Sequence, residues 1–213
     1  MDGTLRIAAS LVVAFACGSI PFAVIVSRLF FHTDIREHGS GNPGATNVLR
    51  ILGPAAGGAV FVLDIAKGAL GVALARLIIF GWSGDTRDWL LVGAAMAAIA
   101  GHSFSPFIGF KGGKGVATAA GAISVLMPGA FFVLLATFVL VVWVGRMVSL
   151  GSVVLACEIP VVMVLLYGDR TPLVLFGFAT GALVFWRHRA NIRRIFRGEE
   201  HKISFTTKWE VTP

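Results

Sequence analysis

The sequence predicts an all-α integral membrane protein, a polytopic bundle of seven transmembrane helices with its N-terminus outside and its C-terminus in the cytoplasm. Three observations carry that expectation. The 213-residue chain is 56% hydrophobic and only 14% charged, where a soluble domain is about one quarter charged. Its mean hydropathy is +0.85. Apolar segments recur along almost the whole chain, and the basic residues between them sort to one side. The chain 1–213 reads as a single membrane domain with a basic cytoplasmic tail from about residue 187.

The first apolar segment runs from about Thr4 to Phe31. It is too long for a cleaved secretory signal, and further apolar segments follow it to the end of the chain. Gly18, Ser19 and Pro21 predict a kink near its middle. A polar loop, 32–52, comes next. The second segment, about Pro54 to Phe80, opens on a proline suited to a first helical turn. Asp64 and Lys67 lie midway along it, three residues apart on one face. They read either as a neutralising pair in the bundle interior or as support for a polar site. A short turn, 81–89, carries Trp82 and Trp89.

The third segment covers about Asp88 to Gly101, and a second glycine-rich stretch, 101–121, follows it. The fourth, about Gly115 to Met127, and the fifth, about Ala130 to Val144, meet at Pro128-Gly129. Both are shorter than the roughly 20 residues of a perpendicular span, so a re-entrant hairpin is the alternative to two crossings. The joint 145–152 leads to the sixth segment, about Leu150 to Leu166, where Pro160 predicts a kink. After the turn 167–172 the seventh covers about Leu173 to Trp186.

Seven crossings sort the charge. With the 32–52 loop in the cytoplasm, thirteen of the eighteen basic residues share its side, from Arg28 to Lys208. Arg6, Arg76, Arg87 and Arg170 fall on the other side, and Lys67 is intramembrane. Stretches 32–52, 101–115, 145–152 and 187–202 then share one face, which points to one composite site there. The +7 net charge speaks to topology and anionic head groups, and no aromatic-rich basic face suggests nucleic acid. Cys17 and Cys157 sit in apolar segments without ligand spacing, so neither a disulfide nor a metal is expected.

The chemistry lies in those polar stretches. In HGSGNPGATNVLRIL (38–52), glycines allow close backbone approach to a ligand, successive N–H groups can form an anion nest, and Arg50 offers a planar fork. Ser40 and Arg50 are its foremost candidates. In the second stretch, Lys111-Gly112-Gly113-Lys114-Gly115 precedes a helix start, as phosphate cradles do, although the Walker A spacing is missing. Lys111 also suits a snorkelling role at the membrane surface. His102 reads as a structural histidine. In the tail, His188 and Asn191 share a helical face, and either Glu199 or Glu200 can pair with a loop arginine. No histidine is followed four residues later by an aspartate, and GxSxG is absent. Such a site works by holding anions together and neutralising them. A membrane transporter for an organic phosphate is the competing reading, but the cationic residues gather at one face rather than at the midplane between repeats.

GSGNPGATNVLR (39–50), LDIAKG (63–68), GHSFSPFIGFKGGKGVAT (101–118) and RHRANIRRIFRGEE (187–200) resemble the bacterial acyl-phosphate:glycerol-3-phosphate acyltransferases, the PlsY family. The resemblance spans nearly the whole chain. It implies a seven-helix inner-membrane enzyme with its active site on the cytoplasmic face. The enzyme would transfer a fatty acyl group from acyl-phosphate to the 1-hydroxyl of glycerol 3-phosphate, giving lysophosphatidate and phosphate, the first step of phospholipid synthesis. It implies no cofactor, no metal, no nucleic acid and no obligate protein partner. Residue by residue, it implies that Ser40 and Arg50 are catalytic. It implies that Gly39, Gly41, Asn42, Thr46, Asn47, Lys111, Gly112, Gly113, Lys114, His188 and Asn191 bind substrate, and that Glu200 is structural. Of Ser149 and Ser152, Ser152 is favoured as the lining residue. The resemblance gives the tail beyond His201 no role. The acyl chain is expected to lie between helices, open to lipid, with Ala94, Ala95, Ala97 and Ala98 as groove or helix-packing positions.

Overall fold

The computed structural model describes residues 2–203. Among them the regular structure is entirely helical, and the protein is an integral membrane protein built as a helix bundle. Lys208, which the charge pattern placed in the cytoplasm, lies outside the described residues.

Helices α1 (Gly3–Ser19) and α2 (Phe22–Phe31) make up the first apolar segment. The expected kink is a full interruption at Ile20-Pro21. It leaves the carbonyls of Ser19 and Ile20 free to accept side-chain donors: Ser105 Oγ reaches Ser19 O at 2.6 Å and Lys67 Nζ reaches Ile20 O at 2.7 Å. Helix α3 (Ala45–Ile78) starts nine residues earlier than the expected Pro54. It has two parts, divided at Gly53, which takes φ 87° and ψ 176°. The proline after it disfavours helical backbone at that position, and glycine occupies the left-hand side of φ without a Cβ clash. The long shaft thus begins at Pro54 as expected. The last third of the supposed loop is instead a short helix that buries Asn47, Val48 and Leu52.

Helices α4 (Gly84–Ser103), α5 (Val116–Leu126), α6 (Pro128–Gly145), α7 (Val148–Tyr167) and α8 (Thr171–Arg187) follow, and α9 (Arg189–Phe196) carries the basic tail. Helix α7 runs through Pro160 without interruption. Five stretches are long and apolar enough to cross a membrane: Gly3–Phe31, Ala45–Ile78, Gly84–Ile108, Pro128–Gly145 and Val148–Tyr167. Helices α5 and α8 are apolar but shorter, with 11 and 17 residues. At 1.5 Å per residue α5 is about 16 Å long, roughly half a hydrocarbon core.

The shaft of α3 packs between α1 and α5, α4 packs on α1, and α7 lies between α6 and α8. Small residues set these contacts. A methyl group on Gly68 would overlap the Thr118 carbonyl, and one on Gly121 would overlap the Ile65 carbonyl, so α3 and α5 meet backbone to backbone. Ala94, Ala95 and Ala98 are fully buried, with Ala94 and Ala98 clustered against Ala14 and Ala75. They are packing positions; the apolar groove lies elsewhere. The main core joins α4, α5, α7 and α8 around Ile99, Ile123, Met163 and Phe176. The outward face of α6 leaves Phe132, Val139, Leu140 and Trp143 exposed, as suits contact with lipid.

Candidate active site

The polar stretches between helices meet at one end of the bundle. The first is organised by a buried carboxylate and a buried amide. Asp34 accepts from the Arg36 backbone N–H at 3.0 Å and pairs with Arg28 at 2.7 Å and Arg36 at 2.6 Å. The Arg36 hydrogen bond holds its carboxyl well below the usual range, against the opposing effect of burial. Asn47, on the short arm of α3, donates to the carbonyls of Ile35 (3.1 Å) and His38 (3.0 Å) and accepts from the Ser40 N–H (3.0 Å). One side chain thereby fixes both ends of the turn that presents Ser40. Gly39 takes φ 58° at that turn, and a Cβ there would press on the Asn47 amide.

The tail closes over this arm. Glu200, whose side chain is fully buried, accepts from Arg50 (3.0 Å), Ser149 (2.9 Å), Asn191 (3.0 Å) and Arg194 (2.7 Å). Burial pushes its carboxyl up, but the four donors outweigh burial and hold it at about 2. Asn191 turns its amide oxygen to Lys114 Nζ. Burial depresses the Lys114 ammonium to about 8; the Glu200 carboxylate opposes the shift, and Arg194, Arg50 and Arg187 add to it. His188 Nδ1 donates to Val184 O at 2.8 Å, which fixes that nitrogen as the N–H and leaves Nε2 as an acceptor. Burial first, and the Lys114 charge second, push its pKa down to about 4, so the ring is neutral near pH 7.

These groups line a cleft of about 730 Å3, its open mouth included. Ser40, Asn42, Thr46, Asn47, Arg50, Lys114, Ser152, His188 and Asn191 all face it. Gly39, Gly41, Lys111, Gly112 and Gly113 do not. Lys111 is exposed. Gly112 and Gly113 give their carbonyls to Arg187 Nη2, at 2.8 and 2.6 Å, and so act through the position of Lys114. Ser149 lines the cleft beside Ser152 and binds Glu200, whereas Ser152 Oγ donates back to Val148 O at 3.0 Å. Asp64, His102 and Arg194 also line it. The sequence marked each as charged or polar near a motif, but only the packing of α3, α4 and α9 brings them to one cavity. Through Phe61, Val116, Ala117 and Phe138 the cleft shares its wall with an apolar groove of about 580 Å3 between α3, α5, α6 and α7.

A family model described as glycerol-3-phosphate acyltransferase matches residues 8–198. A glycerol-3-phosphate acyltransferase of Lactiplantibacillus plantarum is 42% identical over 205 residues, covering 96% of each chain. This chain belongs to the glycerol-3-phosphate acyltransferase family. A Listeria welshimeri acyltransferase is 44% identical over 196 residues, 92% of this chain and 94% of that one. Two crystal structures of PlsY, an integral membrane glycerol 3-phosphate acyltransferase, share the fold. Its glycerol 3-phosphate form has a TM-score of 0.84 at 34% identity, covering 93% of this chain and 96% of that one. Its lysophosphatidic acid form has a TM-score of 0.80 at 32% identity, covering 93% and 95%. In this acyltransferase the polar cleft and the adjoining apolar groove are therefore the candidate active site.

Proposed function

We propose that the protein transfers a fatty acyl group from acyl-phosphate to the 1-hydroxyl of glycerol 3-phosphate, giving 1-acyl-glycerol 3-phosphate and phosphate. The observation that carries this reading is the continuity of a cationic cleft with an apolar groove. Such a cavity suits two reactants, one small and anionic, the other with a phosphate head and an alkyl tail. The tail lies along Phe61, Val116, Ala117 and Phe138 toward Phe131 and Leu134, which places the acyl carbonyl at the junction. Arg50 and Lys114 hold the phosphates there. Asn42, Thr46 and Ser40 supply hydrogen bonds along the first arm.

The chemistry needs no strong base. The glycerol 1-hydroxyl oxygen bonds to the acyl carbon, the bond from that carbon to the bridging phosphate oxygen breaks, and the hydroxyl proton passes to a phosphate oxygen of the donor. Phosphate leaves readily, so bringing the anions together and neutralising their charge supplies most of the acceleration. Neutral His188, with Nε2 as acceptor, can orient the hydroxyl but is too weakly basic to hold its proton. The excess of basic residues in the polar stretches that form the cleft supports a cytoplasmic site, and with it seven crossings and an N-terminus outside.

The test is direct. Purified protein in mesophase or mild detergent receives palmitoyl-phosphate and glycerol 3-phosphate, and phosphate release and lysophosphatidate are followed together. Equimolar products are expected. Acylation trapped on Ser40 would replace the direct transfer with an acyl-enzyme route. Glycerol-phosphate flux into vesicles with no acylated product would overturn the acyltransferase reading.

A further inference from the structure

At the inner wall of the cleft, where Asp64 and His102 line it, lies a second charged cluster to which the transfer chemistry above gives no role. Lys67 Nζ sits 2.7 Å from Asp64 Oδ1 and also donates to Ile20 O at the α1–α2 interruption. Asp64 Oδ1 faces His102 Nδ1 at 3.7 Å. All three side chains are at most 6% exposed. Asp64 Oδ1 makes no well-directed hydrogen bond despite its closeness to Lys67. Burying a charged set in the membrane part of a bundle is costly, and a purely structural contact would be served as well by apolar residues.

The far side of the His102 ring meets the second glycine-rich stretch. Gly113 lies so close to Nε2 that a Cβ there would overlap the ring, and the Gly113 N–H donates to the His102 carbonyl at 3.2 Å. Gly112 N–H donates to Ser103 O at 3.1 Å. The residue after Gly113 is Lys114, the cation at the cleft wall. The stretch is also tied to the α1–α2 interruption through Ser105, which bonds Ser19 O beside the Lys67 acceptor Ile20 O. A continuous set of contacts therefore runs from the interrupted first helix, through Lys67, Asp64 and the His102 ring, to the backbone that carries Lys114.

We propose that Asp64, Lys67 and His102 are positioning residues: they fix the seat on which Gly113 rests and so set the place of Lys114 for the phosphate of the acceptor. The proposal builds on the acceptor assignment made above. It predicts a selective effect, because the acyl groove is formed by other residues of α3, α5, α6 and α7. His102→Ala raises KM for glycerol 3-phosphate about tenfold, leaves KM for acyl-phosphate within about twofold, and changes kcat little. Asp64→Asn acts in the same direction, about fivefold, since it loosens the same ring. The double variant is no worse than His102→Ala, because contacts that act through one another are not additive.

The measurement pairs steady-state kinetics with binding of glycerol 3-phosphate, read as ligand-induced thermal stabilisation. The binding arm needs no turnover, so it reports on the seat even if the acyl donor has been misassigned. Absence of lysophosphatidate from the wild type would count against the transfer reaction alone. If Asp64→Asn fails to fold because Lys67 is left unpaired, Asp64→Asn with Lys67→Met removes both charges and is expected to show the same selective rise in KM. Losses that multiply in the double variant, an equal rise in both KM values, a fall in kcat with KM unchanged, or unaltered glycerol 3-phosphate binding would each overturn the proposal.

Discussion

The two ends of the bundle treat their cations differently. At the end away from the cleft, Arg170 makes a two-pronged pair with Asp88, and Arg6 caps the end of α3 through the carbonyls of Ile78 and Phe80. At the cleft, Arg50, Arg194 and Lys114 converge around a single carboxylate, Glu200. The first arrangement is locally balanced and serves to join helices. The second carries an excess of positive charge at a cavity, and such an excess is tolerated where an anion completes it. The placing of cations with respect to acceptors, more than their number, distinguishes the working end from the supporting one.

The sharpest way to break that comparison is to remove one converging cation. Arg50→Ala is expected to lower kcat/KM by about a hundredfold or more, and Arg50→Lys to recover little of it, because the ammonium lacks the planar fork. Initial rates of phosphate release measure both. Glu200→Ala should come next, chiefly in stability. It leaves several buried donors without their acceptor, at a cost of about 3 kcal/mol, seen as a lowered unfolding temperature in detergent. The pH dependence has the matching sign. The Glu200 carboxyl is depressed to about 2, so its contribution is complete above its ordinary value of 4.5 and is lost as pH falls toward 2.

Ala120 on α5 also lines the apolar groove, and Ala120→Phe narrows it. It should lower the rate with palmitoyl-phosphate about tenfold relative to a short-chain donor, measured in competition. A smaller effect distinguishes Lys114. Burial brings its pKa to about 8, so it carries its charge below that pH, and affinity for glycerol 3-phosphate should weaken several-fold as pH rises through it. Lys114→Arg should remove that dependence, because guanidinium stays charged. The smallest effect belongs to the supporting end: Arg170→Ala should cost about 1 kcal/mol of stability or less and leave kcat/KM within about twofold.

Much of this was legible in the sequence, for identifiable reasons. Helix positions followed from apolar length, and Ser40, Asn42, Thr46, Asn47, Arg50, Lys114, Ser152, His188 and Asn191 all reach the cleft because polar residues beside glycine at one membrane face have few other uses. The short helix before Gly53 is hidden in the sequence, since eight residues followed by Gly-Pro look like a turn. The tertiary contacts of the glycines are not legible in the pattern: Gly112 and Gly113 meet Arg187 and His102 and do not line the cavity. Lys111 and Lys114 are already distinguishable in the sequence, since Lys111 beside Phe110 suits the membrane surface and Lys114 lies between two glycines; the structure leaves Lys111 exposed and turns Lys114 into the cleft. The sequence does not single out Ser149. Its value lies in its distance to a glutamate fifty-one positions later.

The closure of Arg50 by Glu200 spans 150 positions of chain. On a ribosome, Arg50 emerges long before its acceptor exists. The cleft is therefore assembled last, after the helices that flank it are inserted. A nascent chain arrested between α8 and α9 would hold a complete acyl groove beside an unclosed phosphate site.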